Sequence, residues 1–470
     1  MIKNITGRIN QSPSLYLILI FLSLAQLMIV LDFSIVNVAL PSIQAQFHLT
    51  TTTLQWVVSA YALTFGSFLL LGGRASDYFK RKNVFLIGLV LFSLASLMGG
   101  LAPSALIIFI ARAFQGLGAA ILAPSALSLL TTTFHEGNQR NWALGIFGSM
   151  AAIGFTTGVT LGGILTQFFS WHWVFFVNVP FGIITFIVAY LIIPNPMKNY
   201  KKGGFDVTGA VLAVTTLLII VYAITQFSVP GESPYEIIIL FTIVLILIIS
   251  FILEENRVCQ PLVPLNIFQR RNIIIADLVM FLTFAANAAL VFLLTLLLQD
   301  GRGYSALQTG LIFLPAGLGG ITASIITPRI VKRIDFSKFI VIGLVIFGLG
   351  IYGLATVGVS GSIITLMIIY YFTALGVVSV IISLSIAGTT GIESERQGLA
   401  AGLLTTAQQI GASIGVSVAS VVVASVLLSI GNNAIIRVES YKDALIVSEV
   451  LVILAIILAV YLALRRVRKE

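Results

Sequence analysis

The sequence predicts an all-α integral membrane protein built as a bundle of 14 transmembrane helices. Of its 470 residues, 58% are hydrophobic and only 9% are charged, whereas soluble domains carry about 25% charged residues. The mean hydropathy is +1.08. The apolar residues form long continuous runs of the length that a spanning helix needs, instead of the ten-residue alternation typical of a membrane β-barrel.

Each span is predicted from an apolar window bounded by charged residues or by Gly and Pro clusters. The expected spans, in order, are 15–39, 54–73, 84–102, 104–130, 142–168, 174–193, 207–227, 235–253, 273–298, 306–327, 339–358, 362–388, 398–429 and 444–464. The apolar run that follows the N-terminal segment is too long for a signal peptide and lacks a small-residue cleavage site, so it is the first retained span.

The distribution of basic residues predicts the orientation. Of the 26 Lys and Arg residues, 22 fall in the terminal tails and in every second loop. Because short cytoplasmic loops are enriched in Lys and Arg, these loops are expected in the cytoplasm. The protein is therefore expected to be a multi-pass protein of the cytoplasmic membrane with both termini in the cytoplasm.

Two short patterns recur about one half-chain apart and predict an internal repeat. The segment Ile87–Phe92 resembles Ile342–Phe347, 255 residues later, and Ile153-Gly154 is echoed 257 residues later by Ile410-Gly411. Parallel six-helix repeats are typical of one large class of secondary transporters. We therefore expect one six-helix half in residues 1–193, two inserted helices in 194–260, and a second six-helix half in 261–470.

The composition argues against several other functions. Cys259 is the only cysteine, so the chain cannot form an internal disulfide or a thiolate cluster, and its three His residues show no paired spacing. The chain contains no Gly-Lys pair and therefore no phosphate-binding loop of the ATPase type. We expect no enzyme activity, no metal, no cofactor and no nucleic-acid partner, and an ion gradient as the source of energy.

Ionisable side chains inside the bilayer are costly and are functional hypotheses by default. Asp32 lies in the outer half of the first span, too deep to reach water, and is a candidate proton carrier; the alternative is a structural, hydrogen-bonded carboxyl group. Arg112, in the fourth span, stays protonated and can tune a neighbouring carboxylate. A purely structural cation bonded to backbone carbonyls is its alternative.

Two further acids lie closer to the ends of their spans. Asp277 is about one turn inside the ninth span, beside Arg270 and Arg271, so contact with a substrate and pairing with this basic flank are both open. Glu449 lies near the outer end of the last span, where we expect its side chain to reach toward water.

Two glycine-containing segments add structural candidates. The loop after the second span contains Gly73, Asp77, Arg81 and Lys82, which is either a simple orientation signal or a charge network that latches the cytoplasmic helix ends. The fifth span carries a stripe of glycines at helical spacing, which explains tight helix packing and could also form a sliding seam between the halves. The stripe consists of Gly154, Gly158, Gly162 and Gly163.

Several segments resemble the major facilitator superfamily, in particular its fourteen-span drug:proton antiporter branch. The most specific is the first-span motif, and the resemblance covers nearly the whole chain. The matching segments are Leu31–Pro41 (LDFSIVNVALP), Gln55–Tyr61 (QWVVSAY), Arg112–Ala120 (RAFQGLGAA), Trp171–Pro180 (WHWVFFVNVP) and Gly303–Ser305 (GYS).

The chain departs from the family pattern at four positions. In the loop after the second span, Tyr78 replaces the usual Arg and Lys80 the usual Gly. In the antiporter motif, Val159 follows Gly158 where the family has Pro, and His172 stands where an Arg separates two Trp residues.

The resemblance implies a proton-coupled exporter of hydrophobic, cationic drugs, working by alternating access as a monomer. The side chains expected to line its substrate cavity are Asn37, Trp56, Tyr61, Gln115 and Asp277. An exporter dedicated to one antibiotic or metabolite, and a sensor that retains a transporter scaffold without transport, are the alternatives.

Overall fold

A computed structural model describes residues 13–135, 137–193, 206–226, 234–258, 261, 263, 265, 271–331, 334, 336–358, 361–389, 397–430 and 434–467. Fourteen helical segments of the described chain are long and apolar enough to cross a membrane, which confirms the predicted all-α membrane fold and the number of spans. Eleven of these segments are single α-helices, and one, Ile273–Gly301, ends in a π-helical turn. The other two are each interrupted near their first turn.

The helices follow the apolar windows of the sequence. They are α1 (Pro13–Phe47), α2 (Thr51–Leu54), α3 (Trp56–Tyr78), α4 (Arg81–Gly100), α5 (Ala105–Thr133), α6 (Asn138–Phe168), α7 (Trp173–Phe176), α8 (Asn178–Ile192), α9 (Val207–Gln226), α10 (Pro234–Arg257), α11 (Arg271–Leu296), α12 (Ala306–Ile330), α13 (Phe336–Val357), α14 (Ile363–Thr389), α15 (Gln397–Ile430) and α16 (Ala434–Val467). A π-helical turn, Leu297–Gly301, continues α11. We call the face at which α1 begins and α3 ends the basic face, and the other the opposite face.

Two helix ends differ from the sequence prediction. α1 continues to Phe47, beyond the predicted end at residue 39, because Pro41 is accommodated inside the helix. α16 begins at Ala434 instead of residue 444, since four charged side chains of its first turns had suggested a loop. Charge at a helix end marks the membrane boundary and does not mark the end of the helix.

The same helix pairs pack together at both ends of the chain. In the first half α1 packs on α6, α3 on α5, and α4 on both α5 and α8. In the second half α11 packs on α15, α12 on α14, and α13 on both α14 and α16. The two sets contact each other mainly along two seams, α6 with α12 and α3 with α15.

The α6–α12 seam closes at the opposite face. A Cβ added at Gly163 would lie 2.8 Å from the Ala306 carbonyl oxygen, and one at Gly310 would lie 2.5 Å from that of Val159. Toward the basic face, Gly145 and Gly148 of α6 have no atom within 4 Å of such a Cβ. The close glycine contacts between α6 and α12 therefore lie toward the opposite face, and Gly145 and Gly148 have open space beside them.

Hydrogen bonds between the two halves lie outside the α6–α12 seam. Gln299, in the π-helical turn, donates to the Val38 carbonyl at 2.9 Å. Ser417 of α15 donates to Gln55 at 2.9 Å, and Thr406 donates to the Gly66 carbonyl at 3.3 Å.

The inserted helices form a hairpin beside the α3–α15 seam. α9 contacts both α3 and α15, whereas α10 packs mainly on α9 and leaves most of its apolar side chains exposed. A small apolar cluster on the basic side joins the hairpin to α15 and to the segment before α11. It contains Ala210, Val263, Ile273, Ala400 and Leu403.

Candidate functional site

The most polar part of the bundle interior surrounds Asp32. This residue lies just past the middle of the 35-residue α1, toward the opposite face. α6 crosses α1 beside it, since Cβ atoms added at Gly154 and Gly158 would lie 3.0 Å and 2.8 Å from the carbonyl oxygens of Leu27 and Leu31. Small residues let the two backbones approach closely, and the crossing buries the Asp32 side chain completely.

Three side chains from two other helices donate hydrogen bonds to the Asp32 carboxylate. Arg112 Nη1 lies 2.5 Å from Oδ2. Gln115 Nε2 and Asn178 Nδ2 each lie 2.8 Å from Oδ1. α5 contributes the first two side chains and α8 the third, so the carboxylate joins three helices of the first half.

The guanidinium of Arg112 makes further hydrogen bonds and an aromatic contact. Its Nε donates to the Val57 carbonyl at 2.8 Å, and Nη1 also lies 3.0 Å from Gln115 Oε1. The ring of Tyr61 lies under the guanidinium, 4.3 Å from ring centroid to Cζ. Gln115 is fixed in turn by Ser96, 2.6 Å from its Nε2. Arg112 is 1% exposed.

The electrostatics of this cluster depend on the pairing. A buried charge is costly unless it is paired and hydrogen-bonded. In the observed arrangement the ionised carboxylate meets a guanidinium that remains charged at any accessible pH. Protonation of Asp32 would leave one net positive charge in the same dry space, so proton binding must change the packing or polarity around Arg112.

The residues predicted to line a substrate cavity are not brought together. Tyr61 and Gln115 are fully buried and belong to the Asp32 cluster. Asn37, 3% exposed, uses its amide on its own helix, 2.8 Å from the Phe33 carbonyl oxygen. Trp56 begins α3 at the opposite face.

Asp277 lies apart from the other four, six residues into α11 at the basic face. Its Oδ1 is buried and has no hydrogen-bond partner among the described residues. The predicted pairing with Arg270 or Arg271 falls on side chains outside the described residues. Asp277 is thus a half-buried carboxyl group whose Oδ1 has no partner in the described part of the chain.

The predicted loop latch is distributed differently in the structure. Lys82 donates to the Tyr190 carbonyl at 2.7 Å and stacks on its ring, so it binds α8 of its own half. Arg81 begins α4, and its Nε is buried without a partner among the described groups. The Asp77 side chain lies outside the described residues. Gly73 touches only Pro124, at 3.9 Å from an added Cβ.

The glycine stripe serves two purposes. Gly154, Gly158 and Gly162 all face α1, so this part of the stripe packs within one half and not between the halves. Gly163 alone of the four faces α12, and there the seam hypothesis applies. α6 runs unbroken past Val159, which is fully buried.

Two polar partners of the cluster were not identified from the sequence. Asn178 lies within the quoted segment Trp171–Pro180, but a neutral amide carries no charge signal. Ser96 has no sequence signal at all, because one Ser in an apolar helix is ordinary. Asn178 Oδ1 is buried and unpaired among the described atoms, so the amide could also accept a proton donor.

His172 lies at the opposite face, between α6 and α7. Its ring stacks on Trp171 with centroids 3.8 Å apart, and Nδ1 lies 3.3 Å from Ser170 Oγ. Partial burial lowers the pKa of His172. Trp171 donates to Gln46 of α1 at 2.6 Å. His172 therefore packs on Trp171, and Trp171 joins α1 to the turn between α6 and α7.

Comparison with known proteins gives one consistent result. The family profile described as Major Facilitator Superfamily matches residues 22–416. Among curated proteins, the chain is 34% identical over 412 residues to a puromycin resistance protein of Streptomyces alboniger, covering 86% of this chain and 81% of the relative.

Two other relatives match over a similar extent. A cephamycin export protein of Amycolatopsis lactamdurans is 33% identical, with coverage of 88% and 86%. A multidrug resistance protein of Mycobacterium tuberculosis is 32% identical, with coverage of 87% and 76%. Among solved structures, a bacterial homologue of the human lysosomal transporter Spinster superposes with a TM-score of 0.68 at 15% identity, covering 96% of this chain and 97% of that one.

Proposed function

The chain belongs to the major facilitator superfamily, and from this premise we propose that it is a proton-coupled exporter of hydrophobic, cationic drugs. The observation that supports the proposal best is the buried Asp32–Arg112 pair. An ionisable carboxylate in the middle of a spanning helix is costly to retain, and a proton is the one ligand that can reach it without a large cavity.

The proton cycle follows from the contacts of Asp32. In the ionised state, the carboxylate holds Arg112, Gln115 and Asn178 together and so ties α1 to α5 and α8. A proton arriving from the opposite face cancels the negative charge and weakens these bonds. The free acceptor of Asn178 can then receive the acid O–H after a turn of its amide.

The conformation in which the α6–α12 seam is closed at the opposite face corresponds to the inward-facing state, with the basic face in the cytoplasm. Release of the proton to that face accompanies binding of the next substrate. Each proton that moves inward supplies about 2.3 kcal/mol per 100 mV of membrane potential. No cofactor or metal is needed, and we place the protein as a monomer in the bacterial cell membrane with both termini in the cytoplasm.

For the substrate, Asp277 offers the chemistry that suits a cation. It is a carboxyl group, half-buried near the basic face, whose Oδ1 has no hydrogen-bond partner among the residues that the structure describes. On the same helix, Ile273, Ala276 and Met280 are buried apolar neighbours of Asp277 in sequence. A hydrophobic molecule with one positive charge would complement both properties.

A second candidate is an exporter dedicated to one antibiotic, because two of the relatives are named for single compounds. A transporter scaffold that senses without transporting is the third. Breadth of transport separates the first two candidates, and the complete absence of transport would favour the third.

The experiment is gradient-driven efflux in proteoliposomes that contain the purified full-length protein. The substrates are ethidium, puromycin, lincomycin and a cephamycin, each tested with and without a proton ionophore. We expect efflux that requires the pH gradient and that includes ethidium. Efflux of one antibiotic alone would support the dedicated exporter, and no efflux of any compound would contradict the transport proposal.

A further inference from the structure

A second buried acidic group lies at the basic face, far from Asp32. Asp206 precedes the first residue of α9, and Glu255 lies near the end of α10; they are 4% and 3% exposed. A Cβ added at Gly209 would lie 2.5 Å from Asp206 Oδ2 and 2.8 Å from Glu255 Oε1. The two carboxyl oxygens therefore flank the same glycine.

The hydrogen bonds of the two acids are unequal. Asp206 Oδ1 accepts from the Gly209 N–H at 2.7 Å, a bond that caps the first turn of α9. Glu255 Oε2 accepts from the Val263 N–H at 2.9 Å. Glu255 Oε1, in contrast, is buried without any hydrogen-bond partner among the described groups.

Among the described residues, one cation is found to act on Glu255. Arg74, at the basic end of α3, is the cation that acts on Glu255, and it also donates to the Pro261 carbonyl. The side chains that the neighbouring α15 presents here are apolar, as Leu399, Ala400 and Leu403 show. Two buried carboxyl groups that flank the same glycine disfavour double ionisation.

We propose that Asp206 and Glu255 form a proton-binding pair, a second proton site in which one proton is shared between Glu255 Oε1 and Asp206 Oδ2. Asp206 keeps the negative charge, because the N-terminus of α9 favours an anion. Glu255 carries the proton, because its Oε1 faces a carboxylate and no donor. The ligand is a hydrogen ion, and the bond formed is O–H of one acid to the carboxylate of the other.

The position of the pair gives this proton a role in coupling. Asp206 and Glu255 belong to the inserted hairpin, Arg74 belongs to the first half, and Pro261 and Val263 lead into α11 of the second half. A proton at this point therefore stabilises a contact among three parts that must move relative to one another when the basic face closes. Only this role rests on the proposed transport function; the proton occupancy does not.

Infrared spectroscopy of the purified full-length protein tests the occupancy directly. A protonated carboxyl group gives a carbonyl stretch that is absent from a carboxylate and that shifts in heavy water. At neutral pH we expect this signal in the wild type and its loss in Glu255→Gln. We also expect its loss in Asp206→Asn, because the new amide donates to Glu255 and favours the ionised form.

Three comparisons make the result specific. Glu254→Gln alters the neighbouring acid on the same helix and should leave the signal unchanged. Asp32→Asn should also leave this signal in place, which separates the two sites. The double variant Asp206→Asn/Glu255→Gln should lose no more signal than either single variant, since one proton is shared.

An unchanged signal in Glu255→Gln would overturn the proposal, as would additive losses in the double variant, which indicate two independent acids. If Glu255→Gln elutes as aggregated protein, Asp206→Asn decides by the same criterion. The measurement needs no substrate. Loss of the signal in a protein that shows no gradient-driven efflux would therefore refute the transport proposal and leave the proton pair intact.

Discussion

The two halves of the bundle place the same helix crossings around very different side chains. Gly158 packs against the Leu31 carbonyl in the first half, as Gly415 does against that of Ala285 in the second. The next residue is Asp32 in one case and Ala286 in the other. Equivalent helix geometry therefore surrounds a carboxylate in the first half and a methyl group in the second.

The same comparison holds where α5 packs on α4 in the first half and α14 packs on α13 in the second. Cβ atoms added at Gly118 and Gly376 would each lie 2.7 Å from a backbone nitrogen, that of Phe92 or of Phe347. Six residues before each glycine stand Arg112 and Tyr370. Tyr370 is 3% exposed and packs on Phe313 with ring centroids 5.0 Å apart.

This difference bears on whether the helix packing requires the buried charges. The second half packs this position with neutral side chains, so the charges of the first half are not required for the fold. A buried ion pair is weak evidence for stability, since well-packed apolar residues often replace it without loss. The proposed function assigns the charges of the first half to proton binding.

The largest expected effect is that of Asp32→Asn. The variant cannot bind a proton, and it leaves Arg112 without a counter-charge, which typically costs about 3–5 kcal/mol. We expect gradient-driven efflux to fall to background and the thermal midpoint in detergent to drop. Glu449→Gln, which changes a half-buried acid in a different span, should retain both. Full efflux in Asp32→Asn would mean that the two halves do not differ in proton binding.

The next variant replaces the two buried charges of the first half by the residue types found at the equivalent positions of the second. Asp32→Ala/Arg112→Tyr removes both charges, so no uncompensated ion remains. We expect its free energy of unfolding to exceed that of Arg112→Tyr alone by about 3 kcal/mol, with no proton-coupled efflux. Chemical unfolding of the four proteins of this cycle gives the coupling energy. Strict additivity of the two single changes would contradict the pairing.

A smaller effect is expected at the helix crossings. Gly158→Ala and Gly415→Ala each force two backbones apart, so each should cost about 1–3 kcal/mol of stability. Gly158→Ala alone should also alter the pH dependence of efflux, because it displaces the segment that carries Asp32. Gly145→Ala, which has open space, is the matched control and should be neutral or slightly stabilising. Equal effects of Gly158→Ala and Gly415→Ala on pH dependence would refute the contrast between the halves.

The smallest effect is expected for the neutral partner Asn178. Its replacement by Ala removes one of the three side-chain hydrogen bonds to the Asp32 carboxylate and leaves the Arg112 pair in place. Because that bond stabilises the ionised carboxylate, the Asp32 infrared signal of the protonated acid should persist to a higher pH than in the wild type. Titration of the Asp32 infrared signal measures the shift. Thr373→Ala, at the equivalent position of Gln115 in the second half, should leave this titration unchanged.

The membrane fold followed from the sequence because apolar length is a local property. All fourteen spans were predicted, and the errors lie at helix ends, where Pro41 and the charged first turns of α16 resembled loops. Asp32 and Arg112 were identifiable because a charge in the bilayer is costly wherever its partner lies. That they contact each other depends on how α1 and α5 pack, which no short segment of the sequence reveals.

Neutral and boundary residues escaped prediction for related reasons. Asn178 and Ser96 carry no charge, so their presence in a span is unremarkable until the structure places them beside Asp32. Tyr61 and Gln115 were assigned to a substrate cavity from their residue types, whereas their burial places them under and beside Arg112. Glu255 lies at a helix end, where an acid is ordinary, and only its neighbours make it unusual.

Proton flux during export tests the central account most directly. Proteoliposomes that contain a pH-sensitive dye report protons moved when a substrate gradient is imposed on the wild type, on Asp32→Asn and on Asp277→Asn. We predict substrate-driven proton movement in the wild type and none in Asp32→Asn. Asp277→Asn should weaken substrate affinity and still move protons at saturating substrate. Proton movement at the wild-type rate in Asp32→Asn would contradict the account.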